Sequence, residues 1–218
     1  MKTNACAALG HSVQLFDSGT SRAAGISSYL LQGLQHGNSV LVVATPSHWE
    51  STKKLLECEG IDIDKAINDG TLTVLDAAET LAKFMRGNAP DPAKLEDVVG
   101  ALVARLAQRP GRLHIYGEMV DVLAETGNYR GAHRLEELWN GIAARTPFDL
   151  FCGYTSGHFG DHRSAAALRA ICDAHAHVHT TAADELGTFL TEQAKTAPVA
   201  DQTLPWRFTP GVDQSQSQ

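Results

Sequence analysis

The sequence predicts an α/β fold of three layers: a mainly parallel central sheet with helices on both faces. Three observations lead there. The run Ser39 to Ala44, SVLVVA, is continuously apolar and β-branched between turn signals, the pattern of a strand buried on both sides. Short runs of this kind alternate with segments of helical period, which calls for parallel strands joined by crossover helices. A length of 218 residues suits one well-buried domain and is short for two.

Residues 1–9 read as a lead-in, 10–195 as the domain, and 196–218, ending SQSQ, as a tail expected to be disordered. His11 to Phe16 forms a first strand ending at Asp17. The following DSGTSRAAGISS puts a glycine-containing turn between strand and helix, the setting of a phosphate loop. That loop, however, needs G-x-x-x-x-G-K-[ST]. Gly19 and Gly25 stand one residue too far apart, and Ile26 occupies the lysine position. What remains is a helix starting near Ser18 to Ser21, with Ile26, Tyr29, Leu30 and Leu34 inward and Gly37 as its stop.

SVLVVA is the second strand, and Thr45, Pro46 and Ser47 open a helix that runs to Glu59 and stops at Gly60. A short helix covers Ile61 to Asp69. Thr71 to Leu75 is a third strand ending in Asp76, followed by a helix from Ala77 to Arg86 and a loop over Gly87 to Pro90. Asp91-Pro92 starts a helix carrying Val98, Leu102 and Leu106. Leu113 to Tyr116 is the next strand. Two helices divided by Gly127-Asn128 come after it. In the first, Met119, Val122 and Leu123 share one face, and Asp121 and Glu125 another. In the second, Ala132, Leu135, Trp139 and Ile142 form a core stripe, leaving Glu136 and Glu137 in solvent or at a rim. Phe148 to Tyr154 is a fifth strand, Gly157 to Asp161 a loop, Ala165 to Ala174 a helix, and Thr181 to Lys195 a last helix.

The formal charge of −7 and the lack of a basic run leave no surface suited to nucleic acid, and no polybasic membrane patch. No apolar run reaches the roughly 18 residues of a membrane span, and the N-terminus lacks an export signal, so the expected location is the cytoplasm. Cys6, Cys58, Cys152 and Cys172 are scattered without a C-x-x-C pair, which reads as small buried thiols in a reducing compartment.

Glu118 follows Gly117 at the carboxyl end of the Leu113 strand, the edge where open α/β sheets bind ligands. The alternative is that it caps or charges the first turn of the next helix. His48 and Trp49 open their helix at the same edge if the strands are parallel. They are either pocket groups or a surface histidine and a tryptophan packed on the neighbouring helix. With the strand-end residues Asp17, Asp76 and Tyr154, these form the candidate ligand-binding set: Asp17, His48, Trp49, Asp76, Glu118 and Tyr154. No nucleophile or phosphate loop completes a catalytic set, so no catalytic residue is assigned and a non-enzymatic role is expected.

His158, His162, His175, His177 and His179 gather near the end of the domain. If Ala176 to Thr180 is extended, His175, His177 and His179 project from one face and could hold zinc or another borderline metal. The alternative is polar residues at a sheet edge or in a loop. No other cofactor is expected.

Several long motifs then converge on a known family. The run GEMVDVLAETGNYRGAHRLEELWN, followed by PFDLFCGY and ICDAHAHV, resembles the MEDS domain, a sensory domain named for methanogen and methylotroph regulators and for the dichloromethane-responsive repressor. GLQHGNSVLVVATPSHWE and GTLTVLDAAETLAKFMRGNAPD fit in the expected order, and the resemblance spans about residues 10–180. It implies a fold like that of RecA-like and clock-protein ATPase domains without the Walker A lysine, in agreement with Ile26. It also implies sensing of a small organic molecule, with output to a histidine kinase or transcriptional regulator. This chain shows no kinase, receiver or DNA-binding segment, so it is expected either to signal through a partner protein or to be one excised part of a longer design. Alternative readings are a residual nucleotide-binding ATPase-like protein, with Glu118 at the metal-water or base position, and an interaction scaffold or homodimer using helix faces near Trp49 or Trp139.

Overall fold

No residue of β2 (Ser39–Ala44) is exposed on either face, and a strand with that pattern must be roofed by helices on both sides. The computed structural model describes residues 10–160 and 162–196, and the side chains of all of these except 162 and 163. It builds that roof over a six-stranded, all-parallel sheet in the order β3 (Leu72–Asp76), β2, β6 (Leu113–Gly117), β7 (Asp149–Thr155), β1 (His11–Phe16), β8 (His177–His179).

One face carries α1 (Gly19–Gln35), α2 (Pro46–Cys58) and α3 (Ile63–Asn68), whose Ile26, Leu30, Leu56 and Ile63 pack with Val40, Val42 and Phe151. The other carries α4 (Ala77–Phe84), α5 (Pro92–Leu95), α6 (Ala101–Leu106), α7 (Met119–Glu125), α8 (Tyr129–Ala143) and α9 (His162–Asp173). There Phe84, Val103, Leu135, Trp139 and Leu168 pack with Leu41, Ile115 and Leu150. Trp139 stands edge-on to Phe148, with ring centroids 5.9 Å apart, a core role as its spacing predicts. The last helix, α10 (Glu185–Thr196), lies against α9 and β1.

Five expectations need correction. The helix after β3 ends at Phe84, and Met85–Arg86 (β4) pairs antiparallel with Ala89–Pro90 (β5) across a turn in which Gly87 has φ +57°. Between α5 and α6 the chain makes a π turn over Glu96–Gly100. The wider turn rotates the face, so Leu95, Val99, Val103 and Leu106 are buried while Val98 and Leu102 are only partly covered. Asp121 and Glu136, read as facing away from the core, are both buried. Cys58 is exposed, although Cys152 is buried and Cys172 half-buried. Cys6, the lead-in and residues 197–218 lie outside the described residues. Among the described residues, no helix is long and apolar enough to cross a membrane.

Candidate functional site

Glu118 is the first residue beyond β6 and stands at the N-cap position of α7, yet its side chain makes no capping bond. It turns inward instead, so the capping alternative does not hold. Its carboxylate accepts from Arg22 Nη1 at 3.0 Å, from the Tyr116 hydroxyl at 3.0 Å, from His48 Nδ1 at 3.0 Å and from the backbone N–H of Thr45. One helical turn on, Asp121 accepts from Arg22 Nη2 at 2.8 Å, from the Thr155 N–H at 2.8 Å and hydroxyl at 2.9 Å, and from His158 Nδ1 at 2.9 Å. Arg22 also donates to Thr155 Oγ1 at 2.7 Å.

One guanidinium therefore bridges two carboxylates, and each carboxylate is also held by an imidazole. The network joins the starts of α1, α2 and α7 to the end of β7, all at the carboxyl edge of the sheet. Arg22, Glu118 and Asp121 are buried, whereas the His48 and His158 side chains keep 30% and 23% of their surface in solvent. These two imidazoles face water on behalf of a dry interior.

The electrostatics follow from that burial. Desolvation pushes the Glu118 carboxyl up, but the His48 hydrogen bond and the Arg22 charge outweigh it and hold the pKa below its usual value. For Asp121 desolvation is likewise outweighed, by the His158 hydrogen bond, Arg22 and the Thr155 N–H. The Asp121 hydrogen bond raises the His158 pKa against the effect of burial. Burial and Glu118 push the Tyr116 hydroxyl well above its usual value, so it donates as a neutral phenol. Apart from the imidazoles, two carboxylates face one guanidinium. The site is then suited to protons and polar uncharged groups rather than to phosphate.

The chain after β1 points the same way. Only Asp17 and Ser18 separate β1 from α1, too few for a loop that wraps a phosphate. Asp17 is engaged elsewhere: its carboxylate accepts from the N–H groups of Leu186 and Gly187 at 2.7 and 2.8 Å, tying down the start of α10.

Of the six predicted ligand residues, the structure brings His48 and Glu118 together. Asp17 serves α10, and Asp76 caps α4 by accepting from Glu79 N at 2.8 Å. Trp49 packs, half-buried, into the core under α1 and α2. Tyr154 is buried on the α8 side of the sheet, where its hydroxyl donates to Glu136 Oε1 at 2.7 Å. Sequence reasoning missed Arg22 and Thr155, set Asp121 on a face away from the core, and grouped His158 with the late histidines instead of with this network. Arg22 had a signal: it falls four residues before Ile26 on the inward stripe of α1, where an arginine implies buried acids.

A second polar cluster lies within the core between the sheet and α8. Glu136 Oε2 is 3.2 Å from His11 Nε2, 3.4 Å from His175 Nε2 and 3.4 Å from Cys152 Sγ, and His11 Nε2 is 3.3 Å from that sulfur. All four residues are buried. Desolvation raises the Glu136 carboxyl, but the two histidines outweigh it and keep it ionised. The predicted trio of His175, His177 and His179 does not form. His175 lies in the turn between α9 and β8, its Nδ1 bonded to the Ile171 carbonyl, so strand alternation does not reach it. His177 and His179 are exposed on β8, with the His179 ring edge-on to Phe151.

The family model described as MEDS, MEthanogen/methylotroph, DcmR Sensory domain, matches residues 10–176. No curated protein matches the chain.

Proposed function

The chain belongs to the MEDS family of sensory domains, and from that premise we propose that it is a non-enzymatic sensor. In this reading a small polar organic ligand binds at the carboxyl edge of the sheet, and the signal passes to a partner regulator or histidine kinase. The observation that carries the location is the pair of half-exposed imidazoles, His48 and His158, each seated on a buried carboxylate of the same Arg22 network. A ligand that hydrogen-bonds to either ring changes how tightly that ring holds its carboxylate. Arg22 then redistributes between Glu118 and Asp121, and α1, α2 and α7 are tied to that balance.

Thr45 adds support: its hydroxyl oxygen is buried beside the network without a hydrogen-bond partner, although its N–H holds Glu118. For the output, Leu186 and Phe189 on α10 are 45% and 56% exposed, an apolar surface of the kind a partner covers. Nucleotide hydrolysis finds less support, because the turn after β1 is too short for phosphate and Asp17 occupies it.

The test is a titration of the purified chain with short alcohols, amines and dichloromethane, followed by NMR of the histidine side chains, with ATP and magnesium as the comparison. The reading expects saturable shifts of the His48 and His158 imidazoles with one of the organic compounds. Shifts with ATP and magnesium alone would overturn it.

A further inference from the structure

We propose that His11, Glu136, Cys152 and His175 form a binding site for a borderline divalent cation of the zinc type. The ligands would be both histidine Nε2 atoms, Glu136 Oε2 and Cys152 Sγ. This inference does not depend on the carboxyl-edge reading, since the cluster lies on the other side of the sheet and shares no residue with the Arg22 network.

Hydrogen bonds orient both imidazoles. Asn140 Nδ2 donates to the Ala174 carbonyl at 2.8 Å, which fixes Asn140 Oδ1 as the atom facing His11 Nδ1 at 2.9 Å. An amide oxygen only accepts, so His11 carries its proton on Nδ1. His175 Nδ1 faces the Ile171 carbonyl at 2.7 Å and carries its proton there for the same reason. Both rings thus aim Nε2 at Glu136 Oε2, as donors when doubly protonated and as metal-ready lone pairs once that proton leaves. That oxygen is itself an acceptor, while Tyr154 serves the other carboxylate oxygen.

A carboxylate oxygen, two imidazole nitrogens and a thiol therefore converge in a dry core. His175 Nε2 has no hydrogen-bond partner although it is buried. Such an arrangement calls for positive charge at its centre. The outer bonds to Asn140 and Ile171 are of the kind that orient metal-bound imidazoles.

The distances fit a tetrahedral site. Metal–nitrogen and metal–oxygen bonds of about 2.0–2.2 Å and a metal–sulfur bond of about 2.3 Å give tetrahedral edges of roughly 3.3–3.6 Å. The four measured separations are 3.2, 3.3, 3.4 and 3.4 Å, and all donor atoms lie within 4.8 Å of one another. The charges balance as well. Binding a divalent cation releases the Cys152 proton, and any on Nε2, to solvent, and thiolate, carboxylate and two neutral imidazoles then leave the buried site with no net charge. Mixed nitrogen, sulfur and oxygen donors favour zinc and its first-row neighbours over magnesium or calcium. Four protein ligands in full burial leave no open position, so the site is structural or regulatory. It would join β1, α8, β7 and the turn that follows α9.

The full chain, stripped with a chelator, is titrated with Co²⁺ and then Zn²⁺. The proposal expects one Co²⁺ per chain, tetrahedral visible bands with a near-ultraviolet sulfur-to-cobalt band, displacement by Zn²⁺ and a higher Tm in metal. Cys152→Ser should remove the sulfur band. Asn140→Ala, which deletes no ligand, should weaken binding about 10–100-fold while keeping the band at saturation. His177→Gln with His179→Gln should change nothing, and remains decisive with Asn140→Ala if Cys152→Ser fails to fold. Absence of the sulfur band, its survival in Cys152→Ser, unchanged affinity in Asn140→Ala, or loss of binding in the surface double variant would overturn the proposal.

Discussion

Arg22 and Glu118 lie 96 positions apart, yet Nη1 of one sits 3.0 Å from Oε2 of the other, and both side chains are almost wholly withdrawn from water. Taking one partner from such a pair leaves an uncompensated buried charge. Arg22→Met should therefore lower the free energy of unfolding by about 3–5 kcal/mol, read from urea denaturation. Arg22→Lys should recover only part of this, because an ammonium lacks the planar fork that spans Glu118 and Asp121. A loss below about 1 kcal/mol in Arg22→Met would mean that the network is not formed in solution.

His158 gives a pH dependence of known sign. Its folded pKa lies above the unfolded value because of the Asp121 hydrogen bond. Its contribution is thus fully present below the unfolded pKa of about 6.5 and is lost as pH rises through the folded pKa. His158→Gln should cost up to about 1 kcal/mol near pH 5.5 and clearly less at pH 9, after allowance for partial solvent screening. Equal costs at both values would contradict the pairing.

Tyr116 of β6 lies opposite Phe151 of β7, and its side chain reaches Gly153 two residues on, where a Cβ would collide with the hydroxyl that holds Glu118. Gly153→Ala should destabilise the fold by about 1–3 kcal/mol. Gly141, in α8, has open space around its Cβ position. Gly141→Ala should raise stability by about 0.4–1 kcal/mol through helix propensity and the unfolded chain. Thermal denaturation of the two variants checks both signs.

Strands were legible because β2, β6 and β7 are short apolar runs that the sequence shows directly. The π turn at Glu96–Gly100 was not, since one added residue per turn shifts Val98 and Leu102 off the face that a 3.6 period assigns them. Glu118 could be located from its place after β6, but its partner Arg22 could not, because an ion pair across 96 residues leaves no local pattern. Glu136 is the clearest case. It sits four residues after Ala132 and three before Trp139, on the buried side of α8, yet a glutamate there reads as rim until His11, Cys152 and His175 supply a reason for its burial.

The most direct test of the sensing account is a thermal-shift screen of the wild-type chain and His48→Gln against short alcohols, amines, dichloromethane and ATP with magnesium. Glutamine keeps an N–H donor for Glu118 and removes the imidazole, so the fold should survive the change. A ligand in excess over its Kd raises Tm by mass action. The account predicts a rise with an organic compound that shrinks in His48→Gln, and none with ATP. A rise with ATP and magnesium, or an organic-compound shift unchanged in His48→Gln, would contradict it.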